Sequence, residues 1–147
     1  MLIDDLQADL KSAQLAKDTV KVETLRLLLS EGTYARISKG GDLTDADLVS
    51  LIQREVKKRK EATESFKAGN RPELALKEEK EAEVLMHYLP EQLSDEELSK
   101  IIEEVINETG AASVSEMGKV IGAVMPKVAG KADGGRVSAL VKQKLVS

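Results

Sequence analysis

The 147-residue chain has no cysteine and no tryptophan, and only one phenylalanine, two tyrosines, one histidine and three prolines. Without cysteine there are no disulfides, no thiolate nucleophile and no cysteine metal site, and this usage suits a reducing compartment, with the cytoplasm as the expected location. So few aromatics require an aliphatic core and leave no platform for stacking bases. No apolar run approaches the roughly 20 residues that a membrane-spanning helix needs. The first residues, Met-Leu-Ile-Asp-Asp-Leu, carry acids where an export signal carries bases. A soluble, unexported protein without a membrane partner is expected.

Charge is plentiful but uneven. The net charge is −4, from 22 basic and 26 acidic residues, which argues against an obvious nucleic-acid binder. Between Glu91 and Gly110, however, Lys100 is the only base among many acids, whereas the stretch after Ala111 is rich in bases: Lys119, Lys127, Lys131, Arg136, Lys142 and Lys144. The last quarter is locally basic.

Apolar residues recur at helical spacing throughout, and no stretch alternates with period two. Leu2, Ile3, Leu6, Leu10 and Ala13 mark a first helix ending near Lys17. Asp18 can cap a second, with Val22, Leu25, Leu29 and Ile37 on one stripe, until Gly40-Gly41 breaks it. Thr44 and Asp47 form a capping-box start for a third helix reaching Gly69, about six turns long. Pro72 opens a fourth and Pro90 stops it. Ser94-Asp-Glu-Glu97 starts a fifth helix that runs to Gly110, Ser115 caps a sixth, and Asp133 caps a seventh. The expected fold is all-α: an array of four helices in an N-terminal domain, 1–90, then a small three-helix tail domain, 91–147.

At 100° per residue, Glu55 and Arg59 of the third helix share the arc of Leu48, Leu51 and Ile52, so two charges face inward. Arg26 sits at the edge of the second helix's stripe, and Glu78 and Glu81 flank Leu74 and Leu85 on the fourth. The expectation is a structural ion-pair network of Arg26, Glu55 and Arg59, because an unpaired charge in an apolar interface costs several kcal/mol. A di-iron site would need Glu-x-x-His pairs, and His87 is offset from Glu78 and Glu81. No metal or cofactor is assigned. The run Arg54 to Lys60 points its charges several ways around the helix and reads as a solvated face. His87, beside Tyr88 at a helix end, reads as packing or dipole compensation.

One segment stands apart. Gly118 and Gly122 each cost a helix roughly 1 kcal/mol relative to alanine, so something is expected to approach their backbone closely. That could be another helix of the same unit, or a ligand on a smooth strip flanked by Lys119, Lys127, Lys131 and Arg136, where a phosphate backbone could dock. The turn 130–135 looks like an anion site at a helix N-terminus, but Asp133 supplies its own carboxylate to those donors. It is not a P-loop: Lys131 is followed by Ala132 rather than Ser or Thr, and Met125 stands where the leading glycine is required.

Tyr88-Leu-Pro-Glu-Gln-Leu-Ser94, Met117-Gly-Lys-Val-Ile-Gly122, Met125-Pro126 and Gly130-Lys-Ala-Asp-Gly134 together resemble the GatB/YqeY domain, the helical tail of the B subunit of tRNA-dependent amidotransferases. Leu25-Arg-Leu-Leu28, Arg54-Glu-Val-Lys-x-Arg59 and the Tyr88-Leu-Pro90 ending are similar to free-standing YqeY-like proteins. The resemblance spans nearly the whole chain. It implies an all-α fold in two parts and a tail associated with tRNA contact. Ammonia release and activation of the misacylated tRNA belong to other amidotransferase domains, which this chain does not contain. No catalytic residue is assigned here.

The leading expectation is a tRNA- or RNA-binding accessory module using Lys119, Lys127, Lys131 and Arg136, with Lys142 and Lys144 as further candidates. Four neutralised phosphates correspond to a slope of log affinity against log salt of about −3. The alternative is a protein adaptor that docks on an amidotransferase or aminoacyl-tRNA synthetase through the N-terminal helices. An enzyme would need an acid or base among Glu55, Glu78, Glu81 and His87.

Overall fold

The computed structural model describes residues 1–146, which hold seven α-helices and no strand. They are α1 (Leu2–Ala16), α2 (Thr19–Lys39), α3 (Asp45–Ala68), α4 (Pro72–Met86), α5 (Asp95–Thr109), α6 (Met117–Val128) and α7 (Gly134–Val146). The chain divides into two compact units, Met1–Leu89 and Pro90–Ser147.

Local chemistry sets most helix ends. In the first unit, the Asp18 carboxylate accepts a hydrogen bond from Lys21 N at 3.2 Å and starts α2. Gly40, at φ 79°, closes that helix in a left-handed conformation that a side chain would strain. Thr44 and Asp47 form a reciprocal capping box on α3, with bonds of 3.1 and 2.9 Å. Lys39 Nζ lies 2.6 Å from Asp47 Oδ2. That ammonium, and then the Thr44 N–H, pull the Asp47 carboxyl down to a pKa of about 2. Pro72 occupies the first turn of α4, where a missing N–H costs nothing. The helix stops at Met86, a turn short of Pro90.

The core of this unit is aliphatic, with Leu6, Leu25, Leu28, Leu48, Ile52 and Leu85 buried together. The hairpin of α3 and α4 is its most extensive helix pair. Tyr88, just after α4, donates its hydroxyl to Asp9 of α1 at 2.6 Å. Burial and the Asp9 carboxylate push that phenol's pKa above its ordinary value. The stripe expected on α2 is corrected at Ile37, which is 69% exposed. Leu25, Leu28 and Gly32 face the core, and Ile37, nine residues beyond Leu28, lies about half a turn round the helix.

The second unit buries Leu98, Ile102 and Val105 of α5 against Val120, Val124 and Val128 of α6 and Val137 and Val141 of α7. Ser94 accepts from Glu97 N at 3.2 Å and caps α5 over its three first-turn acids, a favourable placement at the positive helix end. Ser115 does not cap α6. Residues Val114–Glu116 form a 3-10 turn in which the Ser115 and Ser113 hydroxyls bond to each other at 2.7 Å, and the helix begins at Met117.

Candidate nucleic-acid interface

Within the second unit, α6 presents its apolar stripe inward and an almost bare surface outward. Gly118, Gly122 and Pro126 recur every four residues on that outer face, and all three are exposed. A Cβ added to Gly118 or Gly122 meets nothing within 4 Å. No other helix of this unit therefore approaches them, which corrects the expectation of close packing inside the unit. Pro126 lies in the last turn and lacks an N–H, so the Gly122 carbonyl loses its α-helical partner on this same strip. The strip combines exposed backbone with an unprotected acceptor.

The bases around the strip are not equivalent. Lys119 and Lys131 are exposed, and among the described residues no carboxylate pairs with either. Lys127 Nζ reaches Glu108 of α5 at 3.4 Å. Arg136 is spent on structure: one guanidinium nitrogen donates to the Leu93 carbonyl at 2.7 Å and to Asp95 at 2.8 Å, fastening the entry of α5 to the first turn of α7. Lys144 contacts Glu103 at 2.6 Å. Three bases of the basic segment thus meet acids of the preceding helix. At the turn 130–135, Asp133 Oδ1 accepts from Arg136 N at 2.8 Å, so the helix end is occupied by the chain's own carboxylate. The turn is laced back to the segment before α5 by Leu93 N to the Lys131 carbonyl at 2.8 Å and Gln92 Nε2 to the Gly130 carbonyl at 2.9 Å.

The first unit holds the buried charges. Arg59, 5% exposed, donates from Nη1 to Glu55 Oε2 at 2.9 Å and to the Glu55 carbonyl at 3.2 Å. Its Nε lies 3.2 Å from Glu81 Oε2 on α4, but off the N–H direction, so the contact is an ion pair without a directed hydrogen bond. Lys58 reaches the other Glu55 oxygen at 3.2 Å. Burial opposes ionisation of Glu55, but the hydrogen bonds from Arg59 and then Lys58 outweigh it and hold its pKa below the ordinary value. Glu78 moves the other way, raised first by burial and then by the Glu81 charge. Arg26 takes no part: it is exposed, because Thr24, Leu25 and Leu28 take the core-facing arc of α2. The network is Glu55, Lys58, Arg59 and Glu81.

Inward helical phase identified Glu55 and Arg59. It offered no means of choosing among acids on the opposing helix, which is why Glu81 stood only as a flanking residue. The Tyr88–Asp9 tie was missed, since a single tyrosine and one acid 79 positions away carry no shared pattern. His87 caps α4 and packs edge-on to Tyr88 with ring centres 5.3 Å apart.

An all-helical chain with a short basic-rimmed strip on one unit and an ion-paired helix hairpin in the other defines a small helical module. It belongs to the Yqey-like protein family, whose sequence pattern matches residues 3–145. It is 36% identical over 99 residues to an uncharacterized protein of Schizosaccharomyces pombe, covering 63% of this chain and 79% of that one. It is 30% identical over 136 residues to altered inheritance of mitochondria protein 41, mitochondrial, of Pyrenophora tritici-repentis, covering 90% of this chain and 74% of that protein. The protein of the same name from Clavispora lusitaniae is 34% identical over 113 residues, 75% of this chain and 65% of its own. The last two relatives overturn the cytoplasmic expectation, because they are mitochondrial by name. Lack of cysteine speaks to disulfide chemistry and does not distinguish among compartments that keep thiols reduced.

Proposed function

We propose that this protein is an accessory module that docks RNA, of the tRNA type, on the outer face of α6, and that its connection with tRNA-dependent amidation runs through this docking. The observation that carries the reading is the pair of exposed glycines. Two positions that weaken a helix by roughly 1 kcal/mol each relative to alanine have no packing role in the unit. Bare backbone there lets a large, flat partner come close.

The chemistry narrows the kind of contact. Lys119 and Lys131, the unpaired ammonium groups of the rim, can meet phosphates, while the open Gly122 carbonyl repels phosphate and accepts a donor such as a ribose 2′-hydroxyl. Recognition would rest on backbone and shape, as expected of a surface without aromatic rings. Two phosphate contacts give a salt slope of about −1.5 to −2, or roughly a tenfold loss of affinity between about 50 and 200 mM salt.

The test is fluorescence anisotropy of labelled tRNA at low salt. Gly122→Leu has open space for its side chain and improves helix propensity, so it should leave the fold intact or firmer while abolishing binding. Lys119→Ala with Lys131→Ala should weaken binding and flatten the salt slope. Absence of tRNA binding by the wild type at low salt would sink the reading. A partner retained after nuclease treatment would move it to the protein adaptor.

A further inference from the structure

Helix α2 is apolar on two sides, and only one of them meets the core. Leu27, Tyr34 and Ile37 lie within about 80° of arc on the side turned away from Leu28 and Gly32, and they are 48, 67 and 69% exposed. Beside this stripe a groove of about 700 Å³ opens between α2 and the first turns of α3, with Tyr34, Ser38 and Ser50 on its walls and Leu51 at its base. Two further lining residues set its charge: Glu31 on the α2 wall and Arg54 on the α3 wall. Neither has an ion pair among the described residues. The charges at the other end, Lys39 and Asp47, satisfy each other.

We propose that this groove and the adjoining stripe are the face through which two copies of the chain associate. A twofold contact requires a patch that is its own complement. An acid and a base, neither ion-paired among the described residues, on opposite walls of a groove beside an apolar stripe meet that requirement, whereas a uniformly charged partner would satisfy one and repel the other. With α2 running antiparallel to its counterpart about an axis near Ser30 and Glu31, Leu27 of each copy lies against Tyr34 of the other. The same arrangement brings the two Glu31 carboxylates toward each other, and Arg54 of the opposite copy relieves that repulsion. Ser30, Ser38 and Ser50 are small enough to let the helices approach. From Leu27 to Ser38 the strip is about 16 Å long at 1.5 Å per residue, a patch at the small end of specific interfaces, so the dimer is expected to have a dissociation constant of about 100 µM.

Sedimentation of the full chain over about 10 µM to 1 mM tests this, that range bracketing a contact of modest area. The wild type should pass from monomer to dimer. Tyr34→Asp and Arg54→Glu, both at exposed positions, should each raise the dissociation constant about tenfold or more, with helical circular dichroism unchanged. Combining Glu31→Arg with Arg54→Glu should return it to within about threefold of the wild type, since the swapped charges still pair across the axis. A wild type that stays monomeric throughout overturns the proposal and leaves the face to a different protein. So does a dimer indifferent to Tyr34→Asp, or a double exchange no better than the single change.

Discussion

The two units handle charge in opposite ways. In the first, α3 and α4 are joined through Glu55, Arg59 and Glu81 inside the protein. In the second the core is aliphatic throughout, and Lys127–Glu108, Arg136–Asp95 and Lys144–Glu103 lie toward the surface, clasping the helices from outside. Buried ion pairs must offset the cost of leaving water and so depend on every partner, while exposed pairs give little and lose little. The same interaction is therefore a point of vulnerability in one unit and a minor fastening in the other.

The largest effect should come from removing the shared cation. Arg59→Met removes the cation shared by Glu55 and Glu81, leaving Glu55 only the exposed Lys58, and should cost about 3–5 kcal/mol in denaturant unfolding. Replacing Glu55, Arg59 and Glu81 together by Met, Leu and Met should recover most of that loss or exceed the wild type. A triple variant as unstable as Arg59→Met would break the comparison. In the second unit the equivalent blow is to hydrocarbon: Ile102→Ala, at a fully buried site, should cost about 2–5 kcal/mol. That cost should be the same at low and high salt, which the Arg59 change need not match.

The smallest effect separates Glu78 of α4 from Glu55 of α3 by pH. Glu78 has a raised pKa in the folded state, so its contribution is fully present below the unfolded value and is lost as pH rises through the folded one. Glu78→Gln should therefore raise the melting temperature slightly at pH 7, and the gain should vanish below about pH 4.3, the unfolded carboxyl value. Glu55 carries the opposite sign: its depressed pKa stabilises the protein above the unfolded value, and the benefit disappears as pH falls through the folded one. Thermal melts from pH 7 to 3 on Glu78→Gln and the wild type would show both.

Much of this contrast was legible in the sequence. Caps at Asp18, Thr44 and Ser94 and the glycines at 40 and 110 set helix limits through chemistry confined to a few residues. Helical phase turned Glu55 and Arg59 inward for the same reason. What could not be read depends on partners remote in the chain. Arg136 looked like a surface base until its carbonyl and carboxylate acceptors, 43 and 41 residues back, were in view. Arg26 looked like a network member because its position at the stripe edge does not reveal which neighbours fill the arc. Ser115 is a good cap by type, yet the 3-10 turn takes its hydroxyl elsewhere. Gly118 and Gly122 were conspicuous by their cost, but only neighbouring atoms could reveal that nothing in the unit covers them.

The bond from Tyr88 to Asp9 gives the first unit a property that neither helix propensity nor core packing supplies. It joins positions 79 residues apart, and closing so long a loop is an entropic cost that grows only slowly with length. The unit is consequently a ring fastened near its ends rather than a string of four helices. Trimming the chain through Asp9 or cutting it before Tyr88 opens the same ring at the same clasp, so the two ends are equivalent in what their loss releases, however different their sequences.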